Sequence, residues 1–118
     1  MKIRNKGFTL MELTIVIAII GILAVASIPS YKYFVSKSII NSCLQEAKNY
    51  TNNVLYSLHD QDNGIVSSSP VINSCDTITD AQGWTLQTQD KIVATVSSPP
   101  NIRIICDVPN GGICKTVY

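Results

Sequence analysis

Apolar and polar residues form three successive patterns along the chain. From Leu13 to Tyr31 no side chain is charged over 19 residues. Within that run Ile15, Val16, Ile17, Ile19, Ile20, Ile22, Leu23 and Val25 cover every side of a helix. A helix that is apolar all round must be buried in lipid or among other helices. At helical rise the run spans about 28 Å, close to the hydrocarbon thickness of a bilayer.

After Pro29 the pattern changes. Val35, Ile39, Cys43, Ala47, Thr51, Val54 and Leu58 recur every three or four residues, which predicts one buried face of an amphipathic helix. Asp60-Gln-Asp-Asn-Gly64 is a stop signal, so the helix is expected to end near His59. A single helix from Phe8 to that point is roughly 50 residues, or about 75 Å, too long for one small globule. Its hydrophobic half must therefore protrude into a membrane or a helical bundle.

A third pattern fills the remainder. Residues 60–83 read as loop, with Ser67-Ser-Ser-Pro70, Asn73-Ser74 and Asp80-Ala-Gln-Gly83. Short runs with strand character follow at Trp84–Thr88, Lys91–Ser97, Asn101–Asp107 and Ile113–Tyr118. Pro99-Pro100 and Pro109-Asn-Gly-Gly112 separate them. The expected fold class is α+β: a long N-terminal helix whose amphipathic half packs on a small antiparallel sheet of three or four strands.

Composition refines this picture. The chain has 118 residues, 46% hydrophobic and 14% charged, against about 25% charged in ordinary soluble domains. About 63% of residues 1–35 are apolar, against about 39% thereafter. High apolar content with low charge excludes a disordered chain. The formal net charge of +1 excludes a global nucleic-acid signature, and one histidine argues against a His-based metal or catalytic cluster. No Ser/His/Asp set, phosphate loop or acid–base pair is recognisable, so an enzyme is the weakest reading and no cofactor is expected.

Lys2, Arg4 and Lys6 precede the apolar run and place the N-terminus on the cytoplasmic side of a membrane. A secretory signal is opposed by Glu12 inside the segment and by Pro29 after a long apolar stretch. A plain anchor does not explain Glu12, because an intramembrane carboxylate costs a few kcal/mol and usually marks function. The sequence Gly7-Phe8-Thr9-Leu10-Met11-Glu12, then an Ile/Val/Ala run, then Ile28-Pro29-Ser30-Tyr31, resembles the class III signal of type IV pilins and type II secretion pseudopilins. The short leader is similar to that of the type IVa branch. The close match covers residues 1–35.

That resemblance implies a domain layout: a cleaved leader at 1–7, a transmembrane and assembly helix at 8–35, and a globular pilin head at 36–118. It implies cleavage after Gly7 by a prepilin peptidase, with Phe8 becoming an N-methylated mature N-terminus. Glu12 takes the place of the family's membrane-embedded glutamate, which pairs with the terminal amine of a neighbouring subunit. Pro29 takes the family's kink position, where it either bends a continuous helix or, with Gly21, bounds the stretch that can unwind in the family's filaments. The implied partners are other copies or other pilins, the peptidase, an inner-membrane platform and an assembly ATPase. The implied location is the inner membrane in a single pass, then an extracellular pilus, or fimbrium, serving adhesion, twitching motility or DNA uptake.

The four cysteines, Cys43, Cys75, Cys106 and Cys114, lack CxxC spacing and follow the anchor on its oxidising side. Three pairings are open. The favoured one joins Cys106 to Cys114 across the Pro-Asn-Gly-Gly turn, resembling the family's C-terminal disulfide loop, and leaves Cys43 to tie Cys75 to the helix. Each bond is worth about 2–4 kcal/mol.

Two alternatives to a main fibre subunit remain. One is a minor pilin that captures DNA or a surface; the other is a pseudopilin. Residues 8–118 carry six basic and eight acidic residues, net −2. DNA capture would need Lys91, Arg103 and Lys115 to share one patch. His59 reads as a surface residue, Asp60-x-Asp62-x-Gly64 lacks the ligands of a calcium loop, and Asn49-Tyr-Thr51 sits inside the predicted helix, which argues against glycosylation. No metal site is expected.

Overall fold

The computed structural model describes residues 7–118. Lys2, Arg4 and Lys6 of the expected leader lie outside the described residues. The described chain runs α1 (Leu10–Leu58), β1 (Thr77–Ile78), β2 (Lys91–Val96), β3 (Ile102–Asp107) and β4 (Ile113–Val117). It divides into two units between Phe34 and Val35.

In the first unit, α1 starts with a capping box. The Glu12 amide donates to Thr9 Oγ1, and the Thr9 amide donates to the Glu12 carboxylate, both at 3.2 Å. The hydroxyls of Thr14, Ser27 and Ser30 each donate to the carbonyl four residues back. Those side chains therefore leave no bare donor on an apolar helix. Pro29 lies inside α1 without ending it.

The second unit is the α+β head. Its sheet is a four-stranded antiparallel meander in the order β1-β2-β3-β4. Ile92, Ala94 and Val96 of β2 and Ile102, Ile104 and Cys106 of β3 point inward. All but Ile102 cluster with Cys43, Ala47, Tyr50, Val54 and Leu58 of the helix, whose buried stripe also includes Ile40 and Thr51. The expected stripe is displaced at its start. Val35 is 38% exposed and Ile39 half-buried, while Ile40 and Tyr50 are buried. Tyr50 joins the core because its hydroxyl is satisfied there: it donates to the Ser68 carbonyl at 3.0 Å and accepts from the Ala81 amide at 2.9 Å.

Two strand expectations need correction. Trp84–Thr88 is not a strand. Its backbone closes into turns, with Trp84 N–H donating to Ala81 and Thr88 N–H to Thr85, and the Thr88 hydroxyl accepting from the Thr85 amide. Hydroxyl side chains that bond nearby backbone compete with ladder formation. Conversely β1 arises inside the expected loop, where Thr77 and Ile78 pair with Thr95 and Ala94.

The long connection from α1 to β2 is tied down on one helix face. Cys43 is disulfide-bonded to Cys75, and Cys106 to Cys114. One turn after Cys43, the Glu46 carboxylate accepts from the amides of Asn73, Ser74 and Cys75 at 2.8–3.0 Å. Tyr50 follows one turn later. Positions 43, 46 and 50 share a face by helical periodicity, so one helix edge fixes residues 68–81 at three heights. Further along, Cys106 and Cys114 are directly opposed partners of β3 and β4.

The β3–β4 turn is closed by Gly112 N–H donating to Asp107 at 2.7 Å. Gly112 has φ +76 and lies against the helix. An added Cβ would come 2.6 Å from Leu55 Cδ1 and 3.0 Å from Thr51 Cγ2.

Two outcomes are expected. Gly112→Ala should destabilise the head by about 1–3 kcal/mol, through strain at positive φ and overpacking. A thermal melt of the detergent-solubilised chain with an unchanged midpoint would contradict it. Tyr50 gives a pH dependence. Burial raises its hydroxyl pKa above the ordinary value; the Ala81 amide opposes the rise and Asp80 adds to it. The protonated form is thus favoured in the fold. Its stabilisation is fully present below about pH 10 and is lost as pH climbs through the folded value. Tyr50→Phe should cost about 1–3 kcal/mol at neutral pH, by orphaning the Ser68 and Ala81 groups. Denaturant titrations should also show a shallower alkaline decline in the variant.

Candidate functional site

The residues singled out at the N-terminus occupy the first unit. Gly7 is exposed, with nothing within 4 Å of where a Cβ would stand. Phe8 is 86% exposed. Because α1 begins at Leu10 with Thr9 as its cap, Phe8 stands just outside the helix that was expected to start with it. The Glu12 carboxylate faces the Thr9 amide instead. A carboxylate in a first turn is also favoured by the helix dipole.

Beyond Glu12 the surface is apolar on every side. Leu13, Ile15, Val16, Ile17, Ile19, Ile20, Ile22, Leu23 and Val25 are all exposed. The most apolar 18 residues of α1 have mean hydropathy 2.5 and none is buried, so the helix is long and apolar enough to cross a membrane. Gly21 has no neighbouring atom within 4 Å of a Cβ position, and Pro29 lacks the amide that would bond Val25. Tyr31, Tyr33 and Phe34 are exposed at the end of this segment, with the last two rings edge to face.

The head carries the remaining candidates. Lys91, Arg103 and Lys115 do share one surface, the sheet face turned away from α1. Asp107 interrupts them, paired in register with Lys91. His59 is exposed, its Nδ1 2.8 Å from the Leu55 carbonyl oxygen. The Asp60 carboxylate accepts from the Asp62 amide, a local turn bond. Among the described residues no group of three His, Cys, Asp or Glu side chains comes together as metal ligands would. Asn49 is exposed within the continuous helix. Sequence reasoning passed over Glu46 and Tyr50; their partners are backbone groups 18 to 31 residues away, which leave no side-chain pattern to read.

Comparison with known proteins matches the same regions. Residues 2–28 match the family described as the prokaryotic N-terminal methylation motif. A type IV major fimbrial protein FimA of Dichelobacter nodosus is 31% identical over 124 residues, covering 100% of this chain and 70% of that relative. Another FimA of the same species is 50% identical over 46 residues, covering 39% of this chain and 30% of the relative. Fimbrial protein Q of Moraxella bovis is 67% identical over 34 residues, covering 29% of this chain and 22% of that protein. In such N-terminal matches the chain spans under a third of the relative's length. No solved structure matches the chain. The alignment over the whole chain, an N-terminal methylation motif and a long helix on an antiparallel sheet place this protein in the type IV pilin family, whose members are structural fimbrial subunits and not enzymes.

Proposed function

We propose that this chain is a subunit of a type IV pilus, made as a prepilin in the inner membrane and polymerised into a fibre. The observation that supports it best is the first unit: a helix apolar on every side, with one carboxylate near its start. Prepilin peptidase cuts after Gly7, and Phe8 becomes the methylated N-terminus. Cleavage creates an amine next to Thr9, within a turn of Glu12. An unpaired intramembrane carboxylate costs about 2.5–3.5 kcal/mol on insertion scales, so a partner is strongly favoured. In the fibre the Phe8 amine of a neighbouring copy supplies that partner, and helix packing between Gly21 and Pro29 follows. The platform and ATPase supply the work; the subunit supplies packing.

The Cys106–Cys114 bond across the last two strands favours a pilus over a pseudopilin fibre. Adhesion, twitching motility and DNA uptake are activities of the assembled fibre and its machinery, and we assign the subunit to the fibre that performs them.

Glu12→Val should leave a processed, membrane-inserted protein and lower the yield of sheared surface filaments by more than tenfold. Immunoblots of the sheared and membrane fractions report both quantities. Normal filaments from the variant would overturn the pairing. Mass spectrometry of wild-type filaments should find the chain beginning at methylated Phe8; an intact residue 1–7 segment in the filaments would refute the processing.

A further inference from the structure

The outer face of the sheet has a regular composition. Reading across β2, β3 and β4, Val93, Ile105 and Lys115 are in register, flanked by Thr95, Arg103 and Val117 on one side and Lys91, Asp107 and Ile113 on the other. The strand alternation turns all of these away from α1. Ile113 is 64% exposed and lines a shallow hollow with Ile105, Val117, Lys91 and Lys115. Three of the five Lys and Arg residues beyond residue 35 lie here, with one acid, Asp107. The same head carries an acidic surface at the end of α1. There Tyr56, 79% exposed, lines a hollow with His59, Asp60, Gln61 and Asp62.

We propose that the outer sheet face docks the Tyr56–Asp62 end of α1 from a second copy of this chain. The cations of one surface complement the acids of the other, and the aliphatic side chains between Lys91 and Lys115 offer the Tyr56 ring an apolar seat. Nucleic acid is the less favoured occupant. This sheet face carries no aromatic side chain for bases to stack on, Asp107 sits within it, and its aliphatic side chains give phosphate nothing to bind. The two surfaces lie on different elements of the head. Their contact is therefore heterologous, a geometry that passes on to further copies, as a helical fibre requires, instead of closing a two-fold dimer.

Area sets the strength. Three strands of five or six residues present about 250 Å², far below the roughly 800 Å² per partner of a stable interface. The contact should be negligible between free subunits. It should form where other packing holds copies at high effective concentration. It thus rests on the reading of the chain as a fibre subunit.

The test uses the full chain in sheared fibres, with photoreactive benzoylphenylalanine introduced at Ile113. Irradiation should give a cross-linked dimer whose peptides join Ile113 to the 56–62 segment of another copy. The yield should fall as salt is raised. Lys91→Glu with Lys115→Glu should lower the dimer at least fivefold, and adding Asp60→Lys with Asp62→Lys should restore it. Fibres that form normally but cross-link elsewhere, or not at all, would overturn the docking while leaving the fibre reading intact. A cross-link to added DNA fragments at the expense of the dimer would overturn it in favour of nucleic acid. Failure of the unsubstituted wild-type chain to enter fibres would instead remove the fibre reading, and the docking with it.

Discussion

An α-helix satisfies its own backbone hydrogen bonds, so it tolerates a change of surroundings along its length without baring an amide. α1 depends on that property. Over Leu13–Val25 its side chains are apolar all round, and the hydroxyls of Thr14 and Ser27 bond back to the helix. Over Ile40–Leu58 the same backbone presents a stripe to a sheet. Nothing but the distribution of side chains distinguishes the two regimes, and Pro29 removes one hydrogen bond without ending the helix. A sheet could not do this, because its amides need neighbouring strands wherever it goes.

The head is small, and its order comes from that helix. A domain of this size buries limited apolar surface, so local restraints matter. Cys43, Glu46 and Tyr50 together hold a connection that has almost no regular structure of its own. A disulfide constrains the unfolded chain, a carboxylate receiving three amides resists local opening, and a buried hydroxyl joins Ser68 to Ala81. The first two converge on Asn73–Cys75 and the third ties Ser68 and Ala81, and β1 forms between these anchors, where Asp76 N–H also bonds Thr95. The Cys106–Cys114 bond performs a similar service at the other end of the sheet.

How much of this was legible depended on whether a feature repeats. The apolar run and the Ile102/Ile104/Cys106 alternation repeat, and both are where periodicity put them. Two paired residues have no period, so β1 was invisible in Thr77–Ile78. Trp84–Thr88 alternates well enough to imitate a strand, yet its threonines bond the local backbone and make turns. Tyr50 lies off the expected stripe; its burial is decided by a carbonyl and an amide far along the chain. At the N-terminus the motif was plain, but the capping of Glu12 by Thr9 depended on where the helix starts, which pattern locates only to within a residue or two.

That start position sharpens the role of Glu12. A carboxylate bonded to a single peptide amide is only partly compensated in an apolar medium, since it has further lone pairs to satisfy. The capping box therefore makes the charge tolerable without exhausting its capacity to accept. On the proposed processing, cutting after Gly7 adds a positive charge one residue before the amide that already holds it. The carboxylate then has a neutral local partner within its own chain and charged partners at its own and neighbouring termini. Charge-assisted bonds are about twice as strong as neutral ones, so on the proposed processing a charged terminus offers the carboxylate more than the cap alone provides. On that proposal, a subunit built this way can wait in a membrane and gains a charged partner on entering a fibre.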